Sequence, residues 1–441
     1  MNIIKHPAKI SKLYIIKLSL PIFFSNLAIP MVGIVDTGLM GHLSDQKFLA
    51  AVSISTAVIT MIYWSFGFLR MGTVGLVAQA LGRGDYREIV LTTMRNMIIA
   101  VLIGFTIIAS QNYIISQIEN FFATSENLQI LIDKYISVRV FSAPAELTIY
   151  VLTGLFLGLQ RTGVSSFLVI FFCTTNIIFS AFFVLNLHLD IYGVALGTVI
   201  SAYLTIIIFT TYTFFYIKKR FNIIPRFTKL LVRKKIFRLL NINFDILIRT
   251  VLLTFAFLWV TYQGSKLGEE FVAINAILIQ LIALASFFLD AYAFSTEGIV
   301  GFAIGKKSKK SFLQAVSNAY KLSFVTGILI SIFYLFFYKI IINSLTDLDY
   351  LRFLSYSYVL WVVIIPPVAS FCYQLDGIFI GASQTADMRN CMIISVVLFI
   401  LFSLYLIENL HNHGIWLALL FFMIIRSLTL NFFYPKILNK L

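Results

Sequence analysis

Long apolar runs alternate with short polar segments along the whole chain. Runs long enough to cross a hydrocarbon core of roughly 30 Å as helices fall near residues 13–39, 48–70, 92–116, 131–157, 164–186 and 191–217. A second set falls near 239–262, 271–298, 320–343, 354–380, 388–408 and 414–435. This pattern predicts an all-α integral membrane protein with twelve transmembrane helices. Glycines mark a second regularity. Gly41, Gly75, Gly82, Gly104, Gly154 and Gly158 pair with Gly264, Gly298, Gly305, Gly327, Gly377 and Gly381, each pair 223 positions apart (264 − 41). Phe48 and Ala50 fall on Phe271 and Ala273, Thr73 and Val77 on Thr296 and Val300, and Phe156 and Thr162 on Phe379 and Thr385. An ungapped offset across separate segments signals an internal repeat. It predicts two pseudo-symmetric six-helix lobes, an N-lobe over 1–217 and a C-lobe over 239–441, joined by a basic linker at 218–238.

Composition agrees, at 60% hydrophobic and 12% charged, against roughly 25% charged in soluble domains. Most Lys and Arg residues sit at the termini and in alternate loops, including Lys9 and Lys12, Arg83 to Arg95, Lys218 to Arg238, and Lys306 to Lys310. Basic residues favour short cytoplasmic loops, so both termini are expected on the cytoplasmic side of a cell inner membrane. The net charge of +15 then reflects topology: it is spread over loops without an aromatic-basic module, and no nucleic-acid partner is expected. The basic N-terminus and first apolar run resemble a signal peptide, but the run is too long for a cleaved one and reads as an uncleaved span. Cys173, Cys372 and Cys391 lie in apolar segments and suggest neither disulfide nor metal. An even number of spans per half makes the repeats parallel, an arrangement that places a substrate cavity between lobes.

Charges inside a membrane cost roughly 2.5–3.5 kcal/mol each on insertion scales and are functional candidates by default. They are Lys17, Asp36, Arg70, Arg139, Glu146, Asp245, Arg249, Asp290, Glu297, Asp376 and Arg426. Lys17, Asp245 and Arg426 lie near span ends, where snorkelling to the headgroups would explain them. Asp36 lies toward the outer end of the first span. A wet interfacial aspartate there needs no function; one withdrawn from water could load and release a proton. Asn176, Ser180 and Thr198 supply neutral oxygens in the same lobe, with Asn176 and Ser180 on one helix face. Asp290, Glu297 and Asp376 have Gly67, Val74 and Thr153 as repeat mates, so the lobes are chemically unequal. Pro21 and Pro30 favour a bend in the first span, and Pro366 and Pro367 a hinge before Asp376. His6, His42, His188, His411 and His413 fall at the terminus or in outer loops, leaving no imidazole in a span. His411 and His413 alone are a weak metal signal. Without a nucleotide motif or a cofactor, energy is expected from an ion gradient.

At Pro30-Met-Val-Gly-Ile-Val-Asp-Thr-Gly-Leu-Met-Gly-His-Leu43, Phe68-Leu-Arg-Met-Gly-Thr-Val-Gly-Leu-Val-Ala-Gln-Ala80, Thr296-Glu-Gly-Ile-Val-Gly301, Asp376-Gly-Ile-Phe-Ile-Gly-Ala382 and Asp387-Met-Arg-Asn390, the chain resembles the multidrug and toxic compound extrusion (MATE) transporters, in their DinF-like branch. The resemblance implies a two-lobe exporter of organic cations and amphiphiles driven by H+ or Na+, a monomer in the bilayer and not an enzyme. Asp36 resembles the family's cation-coupling aspartate and Pro21 the proline where that helix bends. Asn176 and Thr198 match polar residues of the same network, in which Na+ could also sit. The network's second aspartate is Ser180 here, which carries neither charge nor proton. Asp376 resembles the C-lobe carboxylate of the NorM-like branch. A flippase for a lipid-linked precursor is the alternative, kept open by Arg70, Arg139 and Arg249. An intramembrane enzyme is disfavoured by the missing histidines.

Overall fold

The computed structural model describes residues 9–41, 46–122, 125–221, 230, 232–439 and 441. Lys5, His6, His42, Lys440 and much of the basic linker lie outside the described residues. The helices are α1 (Lys12–Gly41), α2 (Gln46–Ser65), α3 (Phe68–Arg83), α4 (Tyr86–Ala109), α5 (Gln111–Phe122), α6 (Glu126–Arg139), α7 (Ala143–Gly158), α8 (Thr162–Ala181) and α9 (Asp190–Phe221). They continue with α10 (Arg233–Leu267), α11 (Glu269–Gly305), α12 (Lys309–Leu345), α13 (Asp349–Tyr356), α14 (Val359–Gly381), α15 (Thr385–Leu410) and α16 (Asn412–Leu438). Among the described residues, twelve helical segments are long and apolar enough to span a membrane, with α2–α3 and α6–α7 each forming one. The second span runs on to Arg83 rather than ending near 70. Its glycines are helical, and the stop is Gly84, a left-handed C-cap at φ 73°, a conformation glycine adopts without strain.

The 223-residue offset governs the backbone as well as the glycines. α12 begins and ends at the offset from Tyr86 and Phe122, the outer limits of α4–α5, and α15 begins at the offset from α8. Left-handed residues repeat: Gly84 with Lys307, Gln160 with Ser383, and His188 with His411. So do the caps, since Asp85 accepts from the Glu88 amide at 3.0 Å and Ser308 from the Ser311 amide at 3.4 Å. Three of the six glycine pairs have a packing cause. A Cβ on Gly154 would lie 2.5 Å from the Arg70 carbonyl, and one on Gly377 would lie 2.6 Å from that of Ala293, the repeat mate of Arg70. Gly158 and Gly381 likewise face the Val74 and Glu297 carbonyls, and Gly104 and Gly327 face Pro144 and Pro367. These sites put α7 against α3 and α4, and α14 against α11 and α12, at distances only glycine allows. The halves differ in continuity. α2 and α3 part at Phe66–Gly67 and α4 and α5 at Ser110, whereas α11 and α12 run through the equivalent positions.

The chain divides into two compact units, one of residues 24–240 and one of 1–23 with 241–441. The division cuts α1 between Phe23 and Phe24. In the first unit, Ile149, Leu152, Leu168 and Phe209 form a core between α7, α8 and α9. In the other, a larger core gathers Leu278, Phe399, Trp416 and Phe422, and the start of α1 joins it by Ile15 packing on Ala315 and Ala319. Large apolar side chains such as Phe336 and Phe432 face outward, as helices do where lipid replaces water.

Candidate functional site

Within the unit of residues 24–240, α1, α8 and α9 bring four polar residues together. A Cβ on Gly197 would meet the Ser180 amide and hydroxyl at 2.7 Å, so this glycine lets α9 lie directly on α8. The close approach sets Thr198 beside Asn176, whose Nδ2 donates to Thr198 Oγ1 at 2.9 Å. Ser180 Oγ donates to Asn176 Oδ1 at 3.4 Å, and the Ser180 side chain lies beside the Asp36 carboxylate. Asp36 is 6% exposed, so it is not the wet interfacial residue its sequence position allowed. Its Oδ1 has no hydrogen-bond partner among the described residues. A buried, half-satisfied carboxylate is costly unless a proton or cation completes it.

A second cluster adjoins the first. Arg139, at the end of α6, donates to Glu146 of α7 at 2.5 Å and to Ser142. Its guanidinium lies over the Tyr63 ring, 5.2 Å from the centroid. Tyr63 shares a 3.2 Å hydrogen bond with Ser142, and Tyr135 shares one of 3.2 Å with Thr56. The Arg139 charge acts on both Asp36 and Tyr135. The sequence marks Arg139 and Glu146 as intramembrane charges, and Arg139 also as one of the cations that kept a flippase open, without pairing the two. Their spacing of seven was the available signal, since it sets them two turns apart on one side of a continuous span. Tyr63 and Tyr135 carried no signal among 21 tyrosines.

In the unit containing residues 241–441, Asp376 of α14 is buried at 5% exposure. Its Oδ2 accepts from Arg249 of α10 and, at 2.6 Å, from Arg426 of α16. Arg426 is only 2% exposed, which corrects the snorkelling expectation: its guanidinium is buried on the Asp376 carboxylate. Asp245 is corrected for the same reason, being buried against Arg389 at 2.6 Å and Thr385 at 2.9 Å. Lys17 is exposed. α14 is helical through Pro366 and Pro367 up to Asp376. Glu297 is buried and Asp290 half-buried on α11. Pro21 lies in a helical α1 two residues before the division between units. His413 is in the first turn of α16, not a loop, and its Nδ1 accepts from Trp361 Nε1 at 3.0 Å.

Twelve spans in two six-span repeats, with ionised groups buried inside each unit and lipid-compatible surfaces outside, define a transporter of the two-repeat type. The chain belongs to the MatE family, whose description matches residues 21–182 and 246–405, once in each half. It is 34% identical over 413 residues to the DNA damage-inducible protein F of Escherichia coli, covering 94% of this chain and 90% of that protein. It is 25% identical over 302 residues to the multidrug resistance protein NorM of Aliivibrio fischeri, covering 66% of this chain and 64% of the relative. A solved outward-facing MATE transporter superposes with a TM-score of 0.88 at 17% identity, covering 98% of this chain and 97% of the other. The protein is therefore a multi-pass MATE transporter.

Proposed function

We propose that this chain is a secondary antiporter that exports organic cations or amphiphilic compounds in exchange for H+ or Na+, with the coupling cation bound at Asp36. The observation carrying this reading is the unpartnered Asp36 Oδ1, buried beside the Asn176–Ser180–Thr198 relay. Protonation would remove the buried charge, while Na+ would be held by Asp36 and the neutral oxygens. Either way, one carboxylate without a second acid at Ser180 takes one monovalent cation. Glu146 does not replace the missing aspartate, because Arg139 already neutralises it. Asp376 Oδ1 also has no hydrogen-bond partner among the described residues, but its Oδ2 is engaged by two guanidiniums that already balance its charge, which supports coupling in the N-lobe. The alignment of Pro21 with the division of α1 supports a bend there that carries cation binding to the substrate. Of Arg70, Arg139 and Arg249, which kept a lipid-precursor flippase open, Arg139 and Arg249 are committed to ion pairs in their own units.

The transporter acts as a monomer in the inner membrane, with both termini cytoplasmic and small amphiphiles as its only expected ligands. The test is ethidium efflux from vesicles under an imposed pH or Na+ gradient, for wild type and Asp36→Asn. Efflux driven by one of the gradients and abolished in Asp36→Asn is expected. Gradient-dependent efflux that persists unchanged in the variant would remove the role of Asp36.

A further inference from the structure

At the loop end of the 24–240 unit, a shallow cleft that opens to solvent is lined by Arg83, Glu88, Thr92, Arg95, Lys235 and Arg238, over Leu76 and Leu239. Four cations face one carboxylate. Glu88 Oε1 takes Arg95 at 3.1 Å and Lys235 at 3.3 Å, and the Thr92 hydroxyl reaches the same oxygen at 3.5 Å. Arg95 is 6% exposed, and its Nε is held by the Leu230 carbonyl at 2.9 Å. Arg83 and Arg238 make no hydrogen bond or ion pair among the described residues, so the cleft keeps uncompensated positive charge.

The repeat shows which part of this charge is particular to the 24–240 unit: Arg83 and Lys235 have cationic mates in Lys306 and Lys12, whereas Arg95 and Arg238 do not. At the 223-residue offset, Arg95, Thr92 and Glu88 become Asn318, Ala315 and Ser311, and Arg238 and Leu239 fall on Ile15 and Ile16 of α1. There the same corner is closed by Ile15 against Ala315. Asn318 Nδ2 donates to the Ile10 carbonyl at 2.7 Å, a neutral copy of the Arg95–Leu230 bond. One half thus closes this corner with Ile15 on Ala315 while keeping two of the cations, and the other has two further arginines there, Arg95 and Arg238.

We propose that the cleft binds a phosphate-bearing anion, with Arg83, Lys235 and Arg238 meeting the phosphate oxygens while Arg95 and Glu88 fix the frame. Guanidiniums suit phosphate through paired donors, and the Leu76–Leu239 floor would accept an attached apolar chain. Two sources share this chemistry: the headgroup of an anionic phospholipid at the membrane surface, and a free phosphate compound. The site is independent of the transported substrate.

The test uses the full-length protein, delipidated in detergent, as wild type and as Arg83→Gln/Arg238→Gln, with the corresponding double Lys variant as a charge-retaining control. Retention of phosphatidylglycerol against phosphatidylcholine is counted by native mass spectrometry, and thermal stability is followed with inorganic phosphate. If the lipid is the source, wild type retains phosphatidylglycerol preferentially, and the Gln variant weakens this about 30-fold, from the usual contribution of two surface cations. If the source is free phosphate, inorganic phosphate raises the melting temperature of wild type and the Lys control but not of the Gln variant, with no lipid preference. Absence of both effects in wild type overturns the site. So does equal lipid retention and equal phosphate response in wild type and a folded Gln variant.

Discussion

At the scale of single residues, function in this chain turns on which buried charges are satisfied. Arg139 and Glu146 satisfy each other, and Asp36 is left with one free oxygen. Removing Glu146 would leave a buried guanidinium whose charge already reaches Asp36. Glu146→Gln is expected to cost about 3–5 kcal/mol and to weaken gradient-driven efflux, because Arg139 then competes with the coupling cation. Arg139→Met/Glu146→Gln should recover most of the thermal stability, and melting curves of the single and double variants check this. The sequence pointed to Asp36 as a charge inside a span and to Asn176, Ser180 and Thr198 as neutral oxygens of the same lobe, and the resemblance joined them into one network. It could not show that Asp36 is buried, because the first span is long enough to end either in water or under cover.

At the scale of elements, helix spacing is set by a few glycines. Gly154→Ala and Gly377→Ala each drive a methyl into a carbonyl oxygen at about the same depth of the repeat. Each is expected to destabilise by about 1–3 kcal/mol. A Cβ at Gly41 meets nothing within 4 Å, so Gly41→Ala should leave the melting temperature unchanged. Lys307 sits at φ 55°, where its repeat mate is Gly84; Lys307→Gly should relieve strain worth about 1 kcal/mol and raise stability. The glycine offset was legible in the chain because close contacts recur at fixed spacing. The breaks at Phe66–Gly67 and Ser110 were not, since the apolar runs continue across them.

At the scale of the whole molecule, twelve spans with basic segments at alternate ends predict one orientation. A green fluorescent protein fused after Leu441 is expected to fluoresce and alkaline phosphatase at the same point to be inactive. The pattern should reverse for fusions at Thr346, between α12 and α13. The opposite result would invert the topology. Span number, the repeat and the family were determined by the sequence itself, since apolar length, glycine spacing and short motifs are written locally and survive without knowledge of neighbours. Only the tertiary structure decided the charge pairing. Arg249 and Arg426 stand 127 and 50 positions from Asp376, and nothing local records that three helices will bring them together. The same is true of the basic cleft. Its residues read as ordinary loop charges until folding set α3, α4 and the start of α10 around one carboxylate, in a corner that the other half of the molecule fills with isoleucine and alanine.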